Sequence, residues 1–144
     1  MKLNMDASVC NSQGVGGGML QDHEGKINFA FYKDFEEVDI LIAENLALLH
    51  GLQLCSMNYR GKLLVEVDSE SLVTLVKSGC ISKWPLCNFL WQIHALLKDL
   101  STSIVHIFRE ANSSADKLVG SKLWIELYTT SFANLPGETR AATY

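Results

Sequence analysis

The chain is predicted to be a single α/β domain built on a mixed sheet, and three observations predict it. Three strand-like runs open the chain in hairpin fashion, a long apolar helix follows, and strands then alternate with helices to the end. At 144 residues, 48% hydrophobic and 19% charged with two prolines, the chain is long enough to bury one core and too apolar to stay disordered. No repeat or second domain is evident.

Taken in order, Leu3 to Ala7 alternates apolar with polar residues and reads as the first strand. Val15 to Leu20 and Ile27 to Tyr32 are the next two, and the polar stretch from Gln21 to Lys26, with Gly25, reads as the turn between them. From about Asp39 to Met57 the pattern is helical, with Asp39 as cap and Gly61 beyond its end. Apolar residues surround that helix axis, which places it between packed layers. Leu63 to Asp68 is β-rich, and Ser69 caps a short helix through about Val76. Pro85 opens another helix over Leu86 to Leu100. Ser103 to Phe108 reads as a strand, and Asn112 opens a last helix through Leu127. The expected domain is 1–128 with a tail at 129–144. Helical crossovers make the later strands parallel to the first.

Composition narrows the function. No apolar run reaches the roughly 18 to 20 residues of a membrane span, and the N-terminus lacks a signal-peptide core. The expectation is a soluble, intracellular protein of the nucleus or cytoplasm, with no membrane partner. Cys10, Cys55, Cys80 and Cys87 show no metal-ligand spacing and read as reduced thiols. A net charge of −4 does not forecast tight general binding to nucleic acid, whose phosphates favour a basic face. The run Gly16-Gly17-Gly18 is not followed by the Lys-Ser/Thr of a phosphate loop; glycine there allows a helix or substrate backbone to approach closely.

Four carboxylates stand out. Glu44 is the only charge in an otherwise apolar helix stretch, either at a solvated edge or in a site. Asp68 stands at the carboxyl end of a strand, where open α/β sheets place ligands, though it also suits a helix cap. Asp6 lies on the first strand, opposite in facing to Leu3 and Met5. Parallel pairing of the first and fourth strands would set Asp6 beside Asp68. Asp116 lies one turn into the last helix, where an acid also complements the helix dipole. Carboxylates gathered without a cation repel, and a hard divalent cation resolves the repulsion.

At these residues the chain resembles the type 1 ribonuclease H family, and within it the reverse-transcriptase-like ribonuclease H domains of plant genomes. The segments that carry the resemblance are KLNMDAS (Lys2 to Ser8), GVGGGMLQDHEG (Gly14 to Gly25), AENLALLHGLQL (Ala43 to Leu54), VEVDSESLV (Val65 to Val73) and HIFREANSSADKLV (His106 to Val119). The resemblance implies a ribonuclease H-like fold with a five-stranded sheet in the order 3-2-1-4-5. It implies hydrolysis of the RNA strand of an RNA–DNA hybrid through two Mg²⁺ ions, or Mn²⁺, held by Asp6, Glu44, Asp68 and Asp116. The resemblance further implies Ser8, Ser69, Glu70, Arg109 and Asn112 as substrate-binding residues.

The chain also departs from that family. The loop from Arg109 to Ala115 has no histidine where many members carry one, leaving Arg109 or Glu110 to take its place, or turnover to be slow. Asp6 is followed by Ala7 rather than Gly, Glu70 stands where relatives have an amide, and the basic helix that grips the duplex in some members is missing. Trp84 reads as packing beside Pro85, with stacking on a sugar or base as the alternative. The rival to an enzyme is therefore a weak or inactive retroelement-derived module that binds nucleic acid or protein.

Overall fold

The computed structural model of the protein describes residues 1–79, 83–120, 127–130 and 134. Strands β1 (Lys2–Cys10), β2 (Gln13–Gln21) and β3 (Ile27–Glu37) open the chain, and all three run longer than their alternation predicts. The extension of β1 and β2 comes from Asn11 and Ser12, both at positive φ (52° and 65°). Two such residues give a two-residue hairpin turn whose twist matches the strands it joins. At the β2–β3 turn the Asp22 carboxylate accepts from the N–H groups of Glu24 and Lys26, each at 2.9 Å, and Gly25 takes the left-handed conformation at φ 81°.

Helix α1 (Ile40–Asn58) is capped as expected, Asp39 accepting from the Ile42 N–H at 2.9 Å. Its length and mean hydropathy of 1.4 would suffice to cross a membrane, but half of the helix is buried within the protein, as in a core helix. Strand β4 (Leu64–Val67), helix α2 (Glu70–Ser78), helix α3 (Leu86–Asp99) and strand β5 (Ile104–His106) follow. The last helix begins differently from expectation: a 3-10 turn over Arg109–Asn112 precedes α4 (Ser113–Gly120). The expected continuation of α4 over 121–126 lies outside the described residues.

The sheet order is β5-β4-β1-β2-β3-β6, which contains the expected 3-2-1-4-5 and adds a sixth strand, Leu127–Thr129. That strand pairs antiparallel with β3 through Ala30↔Thr129 and Phe31↔Tyr128, and the Tyr128 ring stacks on Phe29 at 5.9 Å. The last helix therefore does not reach Leu127, and the segment expected to start a tail at 129 belongs in part to the sheet.

Both faces of the sheet are covered. Leu3, Met5, Phe29, Phe31, Val65 and Val67 pack with Leu48, Leu52 and Ile93 in the main core; a smaller cluster joins Met19, Ala30 and Tyr32 to Leu118 of α4. The glycine run permits the close packing. A Cβ on Gly16 would come within 2.7 Å of the Ala47 Cβ on α1, and one on Gly17 within 3.3 Å of Leu118 and Val119 on α4. Both helices that carry a candidate carboxylate thus sit directly against β2, the neighbour of β1.

Among the described residues Cys10, Cys55 and Cys87 are free thiols; burial pushes the Cys55 thiol up to about 12. Cys80 lies outside the described residues. Trp84, beside Pro85, is 75% exposed, and Trp91 on α3 is 73% exposed.

Candidate metal centre

The site is assembled by strand register. β1 and β4 are parallel neighbours with Met5 opposite Val67, so Asp6 and Asp68, each one residue further on, leave adjacent strands side by side. Alternation puts Asp6 on the face of β1 that bears Asn4, opposite Met5. Its partner on β2 is Gly17, whose missing Cβ leaves room for α4. Glu44 arrives on the first turns of α1, where Ala43 and Ala47 pack on Ala7 of β1.

Asp6, Glu44, Asp68 and Ser69 line one cleft together with Met5, Ala7, Ala47, Val67 and Leu72. Asp6, Ser8, Arg109, Asp116 and Lys117 line the adjoining depression. Asp6 belongs to both, so the four predicted acids surround one region of the surface. Among the described residues no three His, Cys, Asp or Glu side chains are drawn into a preformed metal-binding group; the acids border the cleft without forming a closed coordination shell.

Electrostatics reflect that crowding. The Asp6 carboxyl rises from 3.8 to about 7, because burial strips its water, Asp68 lies nearby, and Asp116 both hydrogen-bonds it and repels its charge. The Ala7 N–H, donating to Asp6 Oδ1 at 2.9 Å, opposes the rise without cancelling it. Glu44 is also raised, first by burial and then by Asp68, against a hydrogen bond from Ser69. Groups that favour the protonated state in a cleft of like charge are those a cation would return to the ionised state.

The flanking residues divide by role. The Arg109 guanidinium reaches Asp116 Oδ1 at 3.2 Å, and its own proton is held more firmly by that contact and by the charges of Asp6 and Asp68. Ser8 is exposed at the mouth of the depression. Ser69 caps α2, its hydroxyl accepting from the Leu72 N–H at 3.2 Å, and donates to Glu44 Oε2 at 2.9 Å. Glu70 lies apart from the acids, in a neighbouring groove with Leu41, Thr74 and Ser78.

Asn112 departs from the expectation of substrate contact. It is 1% exposed and its amide donates to the Met5 carbonyl at 2.9 Å, so it clamps the 3-10 turn onto β1 beside Asp6. The Ile107 N–H donating to the Val67 carbonyl at 2.8 Å ties the same segment to β4. Lys117, which also lines the depression, was not singled out from sequence; only its place beside Asp116 on α4 would have marked it.

Comparison with known proteins agrees with this architecture. The reverse transcriptase-like family matches residues 4–121. A ribonuclease H protein of Arabidopsis thaliana is 30% identical over 139 residues, which is 94% of this chain and 22% of that protein. The chain therefore spans about a fifth of that relative. Among solved structures, LC11-RNase H1 in complex with an RNA/DNA hybrid superposes with a TM-score of 0.73 at 22% identity, covering 83% of this chain and 94% of that one. RNase H1 from the halophilic archaeon Halobacterium salinarum superposes with a TM-score of 0.74 at 19% identity, over 85% and 98%. At such identities the likeness speaks for the fold, which is ribonuclease H-like.

Proposed function

Because the chain belongs to the reverse transcriptase-like family, we propose that it is a ribonuclease H, cutting the RNA strand of RNA–DNA hybrids at the cleft bounded by Asp6, Glu44, Asp68 and Asp116. The observation that carries this reading is that four acids from β1, α1, the end of β4 and α4 border two adjoining depressions that share Asp6, with the Asp6 carboxyl raised by burial and then by its acidic neighbours. A plant retroelement origin, and a nuclear or cytoplasmic setting, go with it.

The donor set fits a hard divalent cation: among the described residues the side-chain oxygens lining the two depressions are those of carboxylates and serine hydroxyls, with no thiol or imidazole. Asp6, Glu44, Asp68 and Asp116 would hold two Mg²⁺ ions, with Mn²⁺ as a substitute. Bound there, the ions would supply an activated water and charge stabilisation for the leaving 3′ oxygen.

The remaining work falls to the chain. Asp6 on β1 and Asp68 just beyond the end of the paired β4 present their carboxylates from a rigid frame. Arg109 and Lys117 supply positive charge at the rim of the depression for the phosphate backbone of the scissile strand. Ser8, exposed at that mouth, offers a hydroxyl to phosphate or to the 2′-hydroxyl that distinguishes RNA. Glu70, in the neighbouring groove, repels phosphate and weakens the grip there. No protein nucleophile is needed.

The test is incubation of a hybrid labelled on the RNA strand with the protein and Mg²⁺, beside an RNA–RNA duplex and a DNA duplex. Cleavage of the hybrid alone, abolished in Asp68→Asn because a metal-holding carboxylate is lost, is expected. An intact hybrid across Mg²⁺, Mn²⁺ and pH would favour a second reading, a module that binds nucleic acid without cutting it. The observation on that side is Arg109, which already occupies Asp116.

A further inference from the structure

The hydroxyl of Ser69 does two things at once. It accepts from the Leu72 N–H at 3.2 Å as the cap of α2, and it donates to Glu44 Oε2 at 2.9 Å. A serine hydroxyl has one donor and spare lone pairs, so its single proton is committed to Glu44. The two residues are 25 positions apart in sequence, and the bond joins α1 to the first turn of α2 across the cleft.

Ser69 is also the residue after Asp68, so its backbone is set by the end of β4, and Leu72, to which it is tied, is buried in the cleft wall. A free glutamate side chain samples several rotamers, and fixing it costs conformational entropy that a preformed hydrogen bond removes in advance. With Oε2 engaged, Oε1 of Glu44 has no hydrogen bond to the described residues.

We propose that Ser69 is the positioning residue of the carboxylate centre: through its hydroxyl, the α2 cap holds Glu44 with one oxygen anchored and the other left for a divalent cation. This assigns Ser69 to the support of a metal ligand in place of contact with substrate, and it rests on the reading of Glu44 as a ligand. Partners that orient a ligating carboxylate affect metal affinity by about 10- to 100-fold.

Calorimetric titration of Mn²⁺ into the full chain tests it. Glycine is nearly as good a helix cap as serine, so Ser69→Gly removes the donor to Glu44 while largely sparing α2. Its Mn²⁺ affinity is expected to fall about tenfold, with the thermal midpoint of the metal-free protein little changed. Ser69→Thr, which keeps the hydroxyl, should bind within about twofold of the unsubstituted protein, and Ser69→Ala should reproduce the loss should the glycine variant not fold. Unchanged affinity in the glycine and alanine variants, or equal loss in the threonine variant, would overturn the proposal. Asp68→Asn separates the failures. If it abolishes Mn²⁺ binding while Ser69→Gly does not weaken it, only the positioning role falls; if neither matters, the metal centre falls with it.

Discussion

At the scale of single residues, Asp6 ties stability to pH. Its carboxyl is raised from 3.8 to about 7 in the fold, so the folded state binds a proton that the unfolded chain has released. The stability this group contributes is complete below about pH 4 and is lost as pH rises to about 7. Asp6→Asn should therefore stabilise the metal-free protein at pH 8 by about 2 kcal/mol, and flatten the fall in thermal midpoint between pH 4 and 7. Thermal melts followed by circular dichroism would show this; identical pH slopes for the two proteins would contradict it. Asn112 makes a different prediction. Asn112→Ala leaves the Met5 carbonyl without its amide donor and should cost about 1 to 2 kcal/mol in urea unfolding. The cost is moderated because the variant also removes a buried Oδ1 that has no partner. The four acids were legible from sequence because charge stands out in apolar surroundings and at a strand end. The burial of Asn112 was not, since an asparagine before a helix reads equally as a solvated cap.

At the scale of elements, the glycines of β2 decide how near the ligand-bearing helices come. Gly16→Ala would bring a Cβ within 2.7 Å of Ala47 on α1 and 2.5 Å of the Phe35 ring. The variant should unfold at lower urea, by about 1 to 3 kcal/mol, and bind Mn²⁺ less tightly because Glu44 rides on the displaced helix. Unfolding at unchanged urea would mean that α1 has slack that the packing does not show. The hydrophobic pattern could be read for β1, α1 and β4, where the period is sustained and a cap or turn residue marks the ends. It failed where elements are short. The three residues of β6 carry no periodicity, and their place comes from backbone pairing with β3 and the stack of Tyr128 on Phe29. The 3-10 turn before α4 was likewise missed, because its geometry is enforced by Asn112 and by the Ile107 bond to Val67, both contacts distant in sequence.

At the scale of the whole molecule, the sheet explains why residues as far apart as 6 and 116 share a site. Parallel pairing of β1 with β4 aligns Asp6 with Asp68, and the helices on the two faces deliver Glu44 and Asp116 to the same end. The parallel pairing of β1 with β4 was readable from the order of strands and crossover helices, and it is this pairing that puts Asp6 beside Asp68. How Arg109 is used was open from sequence; in the fold it partners Asp116 and gives the acidic cleft a cation of its own. Everything proposed for the cleft depends on these four acids binding cations. Anomalous diffraction from crystals grown with Mn²⁺ measures it directly. Peaks are expected among Asp6, Glu44, Asp68 and Asp116 and should be lost in Asp68→Asn; peaks confined to other parts of the surface, or none at saturating Mn²⁺, would contradict a cation-binding role for the four acids.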